Sequence, residues 1–191
     1  MKNYLWQLYD EQGMALPDQG APKQEIVVRG LLHATGHIWL WRYHEQHVEV
    51  LVQRRAHVKI NWPGLYDKSA GGHVRLHETP LSAALRKADD ELGIVLTPEE
   101  LQLVGVVRWR GVIGDIGLVE NELQWLYIAE ARSQFQCKPG KEVETVAWET
   151  LPALRRKFKR HSRRFVPYDA CYYSLILAAL ADAANRTVLH R

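Results

Sequence analysis

The stretch Gly71-Gly72-His73-Val74-Arg75-Leu76-His77-Glu78-Thr79, continued by Pro80 to Ile94, decides the fold. Its first part reads as a glycine turn and its second part as a helix. From Pro80 to Leu92 the apolar residues Leu81, Ala84, Leu85, Ala88 and Leu92 recur at helical spacing and predict one buried stripe. Thr79 is the expected N-cap and Gly93 the expected stop. Lys87, Asp90 and Glu91 fall on one arc of the opposite side, because residues three and four apart are helical neighbours. Two carboxylates then point the same way with an ammonium group beside them, an arrangement that suits a divalent metal held against a phosphate.

These residues resemble the Nudix box, in which Gly, five residues, Glu and seven residues lead into Arg-Glu-apolar-any-Glu-Glu-any-Gly-apolar. Gly72, Glu78, Arg86, Ala88, Glu91, Gly93 and Ile94 match in register. Asp90 is a conservative match, and Lys87 stands where the family has its first helix glutamate. The resemblance implies the α/β class, a Nudix-type α/β/α sandwich with a mixed sheet and the loop-helix element. It further implies that Arg86 pairs with Glu78 to brace the loop, with Gly72 and Gly93 also structural. Asp90 and Glu91 become candidate metal ligands, and Glu91 a candidate catalytic acid.

Upstream of the box, Tyr4 to Tyr9 and Glu25 to Val28 read as short strands on either side of a loop at Gly20-Ala21-Pro22. Gly36 to Tyr43 and Val48 to Gln53 read as stronger strands, with His44 to His47 as a hairpin loop. The run Gln53-Arg54-Arg55-Ala56, then Lys59, then Trp62-Pro63-Gly64-Leu65-Tyr66-Asp67, resembles the Nudix subgroup that includes type 1 isopentenyl-diphosphate isomerases. In that subgroup the residues matching Arg55 and Lys59 hold a diphosphate. His33 and His73 match its metal-ligand histidines, but the catalytic cysteine expected two residues before His73 is Gly71, and a histidine expected near Ile26 is missing.

Downstream, Leu101 to Trp109 and Glu122 to Ala129 read as strands joined by a glycine-rich loop, Gly111 to Gly117. Glu120-Asn121-Glu122 again resembles the isomerase-like subgroup, and residues two apart on a strand share a face, so Glu120 and Glu122 can converge on one ion. Lys141 to Trp148 alternates as a closing strand, with Glu142 where many Nudix enzymes place a further acid, a candidate ligand or base. The run Arg155 to Arg164 reads as a solvated helix end. Pro167 to Ala184 reads as an amphipathic helix with Tyr172, Leu175, Ile176, Ala179 and Ala183 inward and Cys171 on or near that face. Trp109 and Tyr168 are candidate substrate contacts.

With 191 residues and no shift in composition, the chain is expected to form one domain, with a core over about 25–151, an N-terminal strand extension at 1–24 and a C-terminal helical extension at 152–191. An apolar fraction of 47% excludes wholesale disorder, and a net charge of +3 gives no general case for nucleic acid. Two cysteines, Cys137 and Cys171, make no disulfide framework and fit a reducing cytoplasm. The start has no sustained apolar core of a signal segment, and no stretch is long enough to span a bilayer.

Hydrolysis of a diphosphate linkage needs neutralised phosphoryl oxygens, a positioned water and a stabilised leaving group. Magnesium bound by hard carboxylate oxygens, with manganese as the alternative ion, serves the first two. The expected metal ligands are Asp90, Glu91, Glu120, Glu122 and His73, and the catalytic acids are Glu91, Glu122 and Glu142. Arg55, Lys59 and Lys87 supply cationic clamps. The lysine at 87 reverses one charge beside the ion and fits the isomerase pattern better, whereas Gly71 cannot protonate an alkene. The expected function is therefore magnesium-dependent hydrolysis of a nucleoside-type or other organic diphosphate. An isomerase-like enzyme and a non-catalytic diphosphate sensor are the alternatives. The partner is a small molecule and not a membrane or nucleic acid, and a homodimer is left open.

Overall fold

The computed structural model describes residues 4–113, 117–131, 135–160 and 163–189. Its organising element is the strand β3 (His33–His44), which pairs with four others. Along one edge it runs parallel to β8 (Leu118–Glu130). Along the other it meets β6 (Ala70–His73) and then β4 (His47–Arg55), both antiparallel. β4 carries β5 (Tyr66–Asp67) and β9 (Val143–Thr150), β8 carries β7 (Gln102–Ile113), and β1 (Leu5–Tyr9) ties β2 (Ala15–Pro22) to the start of β3. The sheet is therefore mixed.

β3 is apolar on both faces, as a strand covered on both sides must be. Ile38 and Leu40 pack with Leu51 of β4 and with Ala84, Ala88 and Leu92 of α2 (Pro80–Leu92). Trp39 and Trp41 point the opposite way, to Leu154 and Phe158 of α3 (Leu151–Lys159) and to Tyr172, Ile176 and Leu180 of α4 (Ala170–Leu189). Helices thus cover both faces, giving the α/β/α sandwich.

α2 has the bounds that its apolar spacing predicts. Thr79 and Ser82 cap it reciprocally, and Gly93 ends it in the left-handed region at φ 65°. The β3–β4 hairpin turns at Glu45 and Gln46, with φ of 45° and 64°, which match the tight turn whose two central residues are both left-handed.

Several local expectations are corrected. Glu25 to Val28 is not a strand but part of α1 (Lys23–Arg29), where Pro22 opens the helix, Gly30 closes it, Glu25 pairs with Arg29, and Ile26 and Val27 are buried. Packing of one helical face overrides the β-branched run there. Gly20-Ala21-Pro22 is the end of β2 rather than a loop, and Gly71 and Gly72 lie in β6 rather than in a turn. Gly111 to Ile113 extend β7, while 114–116 of the expected loop lie outside the described residues. Cys171 is exposed rather than in the core, and the last helix starts at Ala170 and runs to Leu189. The basic run ends α3, with positions 161–162 outside the described residues. Among the described residues, no helix is long and apolar enough to cross a membrane.

Candidate metal and diphosphate site

Three strands converge at the start of β3. The parallel register sets His33 beside Glu122, and the antiparallel register sets His73 beside Thr35. Glu120 and Glu122, two apart on β8, share the face turned toward them. One ligand atom from each of His33, His73, Glu120 and Glu122 lies within 4.8 Å of all the others. Glu122 Oε1 is 3.7 Å from His33 Nε2 and 3.5 Å from His73 Nε2, and Glu120 Oε2 is 3.6 Å from His33 Nε2. These separations are too long for hydrogen bonds and leave room for an ion between the atoms.

The chemistry of the cluster fits a divalent cation. His33 Nε2, His73 Nε2 and Glu120 Oε2 are buried and find no hydrogen-bond partner among the described residues, which is costly unless something else pairs with them. His33 Nδ1 donates to the Leu31 carbonyl at 3.0 Å, which fixes the tautomer and leaves Nε2 facing the cluster. His73 is held flat against Trp6, with ring centroids 3.5 Å apart and planes 8° apart. Gln124 donates to Glu122 Oε2 at 3.0 Å, and Asn61 reaches Glu120 Oε1 at 3.4 Å.

Burial and these neighbours spread the proton affinities. Burial lowers the His73 imidazole to about 4, with Glu122 opposing it in part. At His33 burial is outweighed by the nearby carboxylates, chiefly Glu122, and the pKa rises. Burial and the adjacent Glu122 raise Glu120, whereas at Glu122 burial is overcome by the two histidines and the pKa falls well below the usual carboxylate range.

A second group of charges lines the same cavity, which holds about 340 Å³. Lys87 crosses over Gly72 and reaches both Glu91 at 2.7 Å and Glu142 at 3.4 Å. A Cβ at Gly72 would lie 2.9 Å from Lys87 Cε, so the glycine admits this path. Lys59 also pairs with Glu142, and burial of that carboxyl is outweighed by the two lysines, which hold it at about 2. Arg55 bonds buried Asp67 at 2.8 Å and the Asn61 carbonyl through Nε and Nη2. Trp109 lies opposite Glu122 on β7, its ring edge-on to Trp62 at 6.1 Å, and Tyr168 closes the far wall.

The helix acids are placed differently from the two strand glutamates. Glu91 is buried, with Oε1 against Lys87 and Oε2 accepting from Gln53 Nε2 and the Gly71 N–H, each at 3.1 Å. Asp90 lies apart from the strand cluster: it is exposed and 3.4 Å from Arg86. Arg86 meets Glu78 through two prongs, at 2.7 and 2.8 Å, and also donates to the His73 carbonyl at 3.1 Å. Gly93 caps the far end of the helix.

The spacing of residues did not reveal the Asp67–Lys68–Tyr168 group. Lys68 Nζ is 2.6 Å from Tyr168 Oη, and the Tyr168 hydroxyl is 2.9 Å from Asp67 Oδ1. A Cβ at Gly71 would lie 2.4 Å from Lys68 Cε, so the lysine stem fills the space where a side chain at 71 would project. Trp6 was missed because strand pairing alone brings it to His73, and Ile26, where a further histidine was expected, is buried in α1.

Fold and site together define a class of protein in which a loop-helix braces a histidine- and carboxylate-lined pocket at the end of a mixed sheet. The NUDIX domain model matches residues 32–169, and the chain belongs to the NUDIX family. It is 34% identical over 152 residues to a protein of Dinoroseobacter shibae named isopentenyl-diphosphate Delta-isomerase, covering 78% of this chain and 82% of that one. It is 26% identical to Nudix hydrolase 3 of Arabidopsis thaliana, over 78% of this chain and 19% of that one. Among solved structures, DR0079 of Deinococcus radiodurans shares the fold with a TM-score of 0.62 at 16% identity, covering 95% of this chain and 98% of that one.

Proposed function

We propose that the protein is a divalent-metal-dependent hydrolase of an organic diphosphate. The observation that carries this reading is the set of buried, unpartnered ligand atoms of His33, His73 and Glu120, with Glu122, beside a wall of cations. A divalent ion held there would supply charge neutralisation and Lewis acidity at the phosphoryl oxygens. Two imidazoles with two carboxylates suit manganese or another transition ion better than magnesium, which favours oxygen ligands alone.

In this reading Lys59 and Lys87 bind the phosphoryl oxygens, and Glu142, whose Oε2 pairs with both, gathers the two ammonium groups on one side of the cavity. With a pKa of about 2, Glu142 is a poor proton acceptor. Glu91, with both oxygens engaged, orients Lys87 and the β6 backbone. Glu120 stays with the ligand set, because an ion beside it would stabilise its charged form and oppose the rise that burial and Glu122 cause. Arg55 holds Asp67 and the loop carbonyl of Asn61, and shapes the phosphate end of the cavity.

The relative's name favours a second reading, isomerisation of an alkenyl diphosphate. Against it stands Gly71, which offers no acid, with the adjoining space taken by Lys68. Phosphate release from nucleoside, sugar and isoprenoid diphosphates with manganese and magnesium tests the first reading. Proton NMR of isopentenyl diphosphate in heavy water tests the second. Isomer formation without phosphate release would replace hydrolysis by isomerisation.

A further inference from the structure

A second cavity, of about 320 Å³, abuts the metal and cation site. Trp62, Pro167 and Tyr168 belong to the walls of both. Beyond them the surroundings become mostly apolar, with Leu65, Phe158, Phe165, Val166 and Tyr173 and a single charged side chain, Arg163. The polar atoms of its tyrosines are already spent. Tyr173 Oη donates to the Val166 carbonyl, and the Tyr168 hydroxyl is engaged by Asp67 and Lys68. Trp62, at the junction, has φ 49°, a left-handed conformation that costs energy for a bulky residue and that clusters at ligand sites.

We infer that this second cavity binds an apolar arm of the diphosphate substrate, one bulkier than a five-carbon chain. This rests on the diphosphate reading of the first cavity and narrows it. A nucleoside arm carries ribose hydroxyls and base edges that need both donors and acceptors, and apart from Arg163, which only donates, the walls offer few partners. A hydrocarbon or fused-ring arm needs only area, and a cavity of this size belongs to the range that encloses ligands of ordinary metabolite or drug size. The substrate then lies across the Trp62–Tyr168 junction, its phosphates by Lys59 and Lys87 and its arm against Phe158 and Phe165.

Calorimetry with manganese present separates the cases, using three non-hydrolysable probes: methylenebisphosphonate, its decyl ester and α,β-methylene-ADP. The decyl ester is expected to bind about a hundredfold tighter than the bare probe, and α,β-methylene-ADP to gain far less. Leu65→Trp, which fills the cavity from the loop side, is expected to remove the decyl gain while the affinity of the bare probe stays within about twofold. Leu65→Phe, a milder filling, should remove part of it and covers the case in which the tryptophan variant does not fold. No decyl gain, a gain untouched by the Leu65 variant that folds, or an equal gain for the nucleotide would overturn the inference. Tight decyl binding without phosphate release from decyl diphosphate would uphold it and sink the hydrolase reading alone.

Discussion

Lys87 Nζ lies 2.7 Å from Glu91 Oε1, one helical turn away on α2, and the two side chains retain 13% and 4% of their exposure. The lysine that departs from the family pattern therefore neutralises the buried helix carboxylate. Burial opposes its charge, but Glu91 and Glu142 outweigh that and raise its pKa.

Removing one member of such a pair strands a buried charge. Lys87→Met is expected to destabilise the fold by about 3 kcal/mol, and adding Glu91→Gln to recover most of it. Urea unfolding of the two singles and the double measures the coupling. Additive losses would mean that the pair does not hold the charge.

Metal affinity should divide the carboxylates into two sets. His33→Ala and Glu120→Gln are expected to weaken manganese binding by about a hundredfold or more, and Glu91→Gln by only a few fold. Titration calorimetry reads all three. A loss for Glu91→Gln equal to the others would bring the helix acid into the ligand set.

The two basic residues upstream should behave differently. Arg55→Ala leaves Asp67 buried without its closest cation, so it is expected to cost about 3 kcal/mol of stability. Lys59→Ala removes a half-exposed pair with Glu142 and should raise KM with little change in kcat or melting temperature. A melting temperature lowered equally in both would refute the distinction.

Glu142 predicts a pH dependence. Its pKa is depressed from 4.5 to about 2, so the ionised form contributes stability above about 4.5, and that contribution is lost as pH falls toward 2. Glu142→Gln should show a shallower fall in melting temperature between pH 5 and 3 than the wild type. The difference is small because the side chain is half exposed. Parallel curves would count against the ion pairs.

What the chain disclosed by itself followed from periodicity and caps. Thr79 and Gly93 delimit α2 because the same local physics of orphan backbone groups operates in any fold. Glu120 and Glu122 were readable as a pair because a strand alternates. Their meeting with His33 and His73 was not readable from spacing, since it depends on the β3–β8 and β3–β6 registers, which are set by long-range pairing. Asp90 stands apart from Glu91 because one arc of a helix still spans buried and exposed directions. Glu25 to Val28 misled because its β-branched residues sit in a helix seated on the sheet.

The close contacts around Gly71 bear on what position 71 can hold. A side chain gained at 71 would place its Cβ 2.4 Å from Lys68 Cε, the far end of a side chain, and 2.8 Å from the Gly36 carbonyl oxygen, which is backbone. Shortening position 68 relieves only the first contact, so a side chain at 71 also requires β3 to shift at Gly36. A library that varies positions 68 and 71 together is therefore expected still to favour glycine at 71 unless the β3 backbone moves.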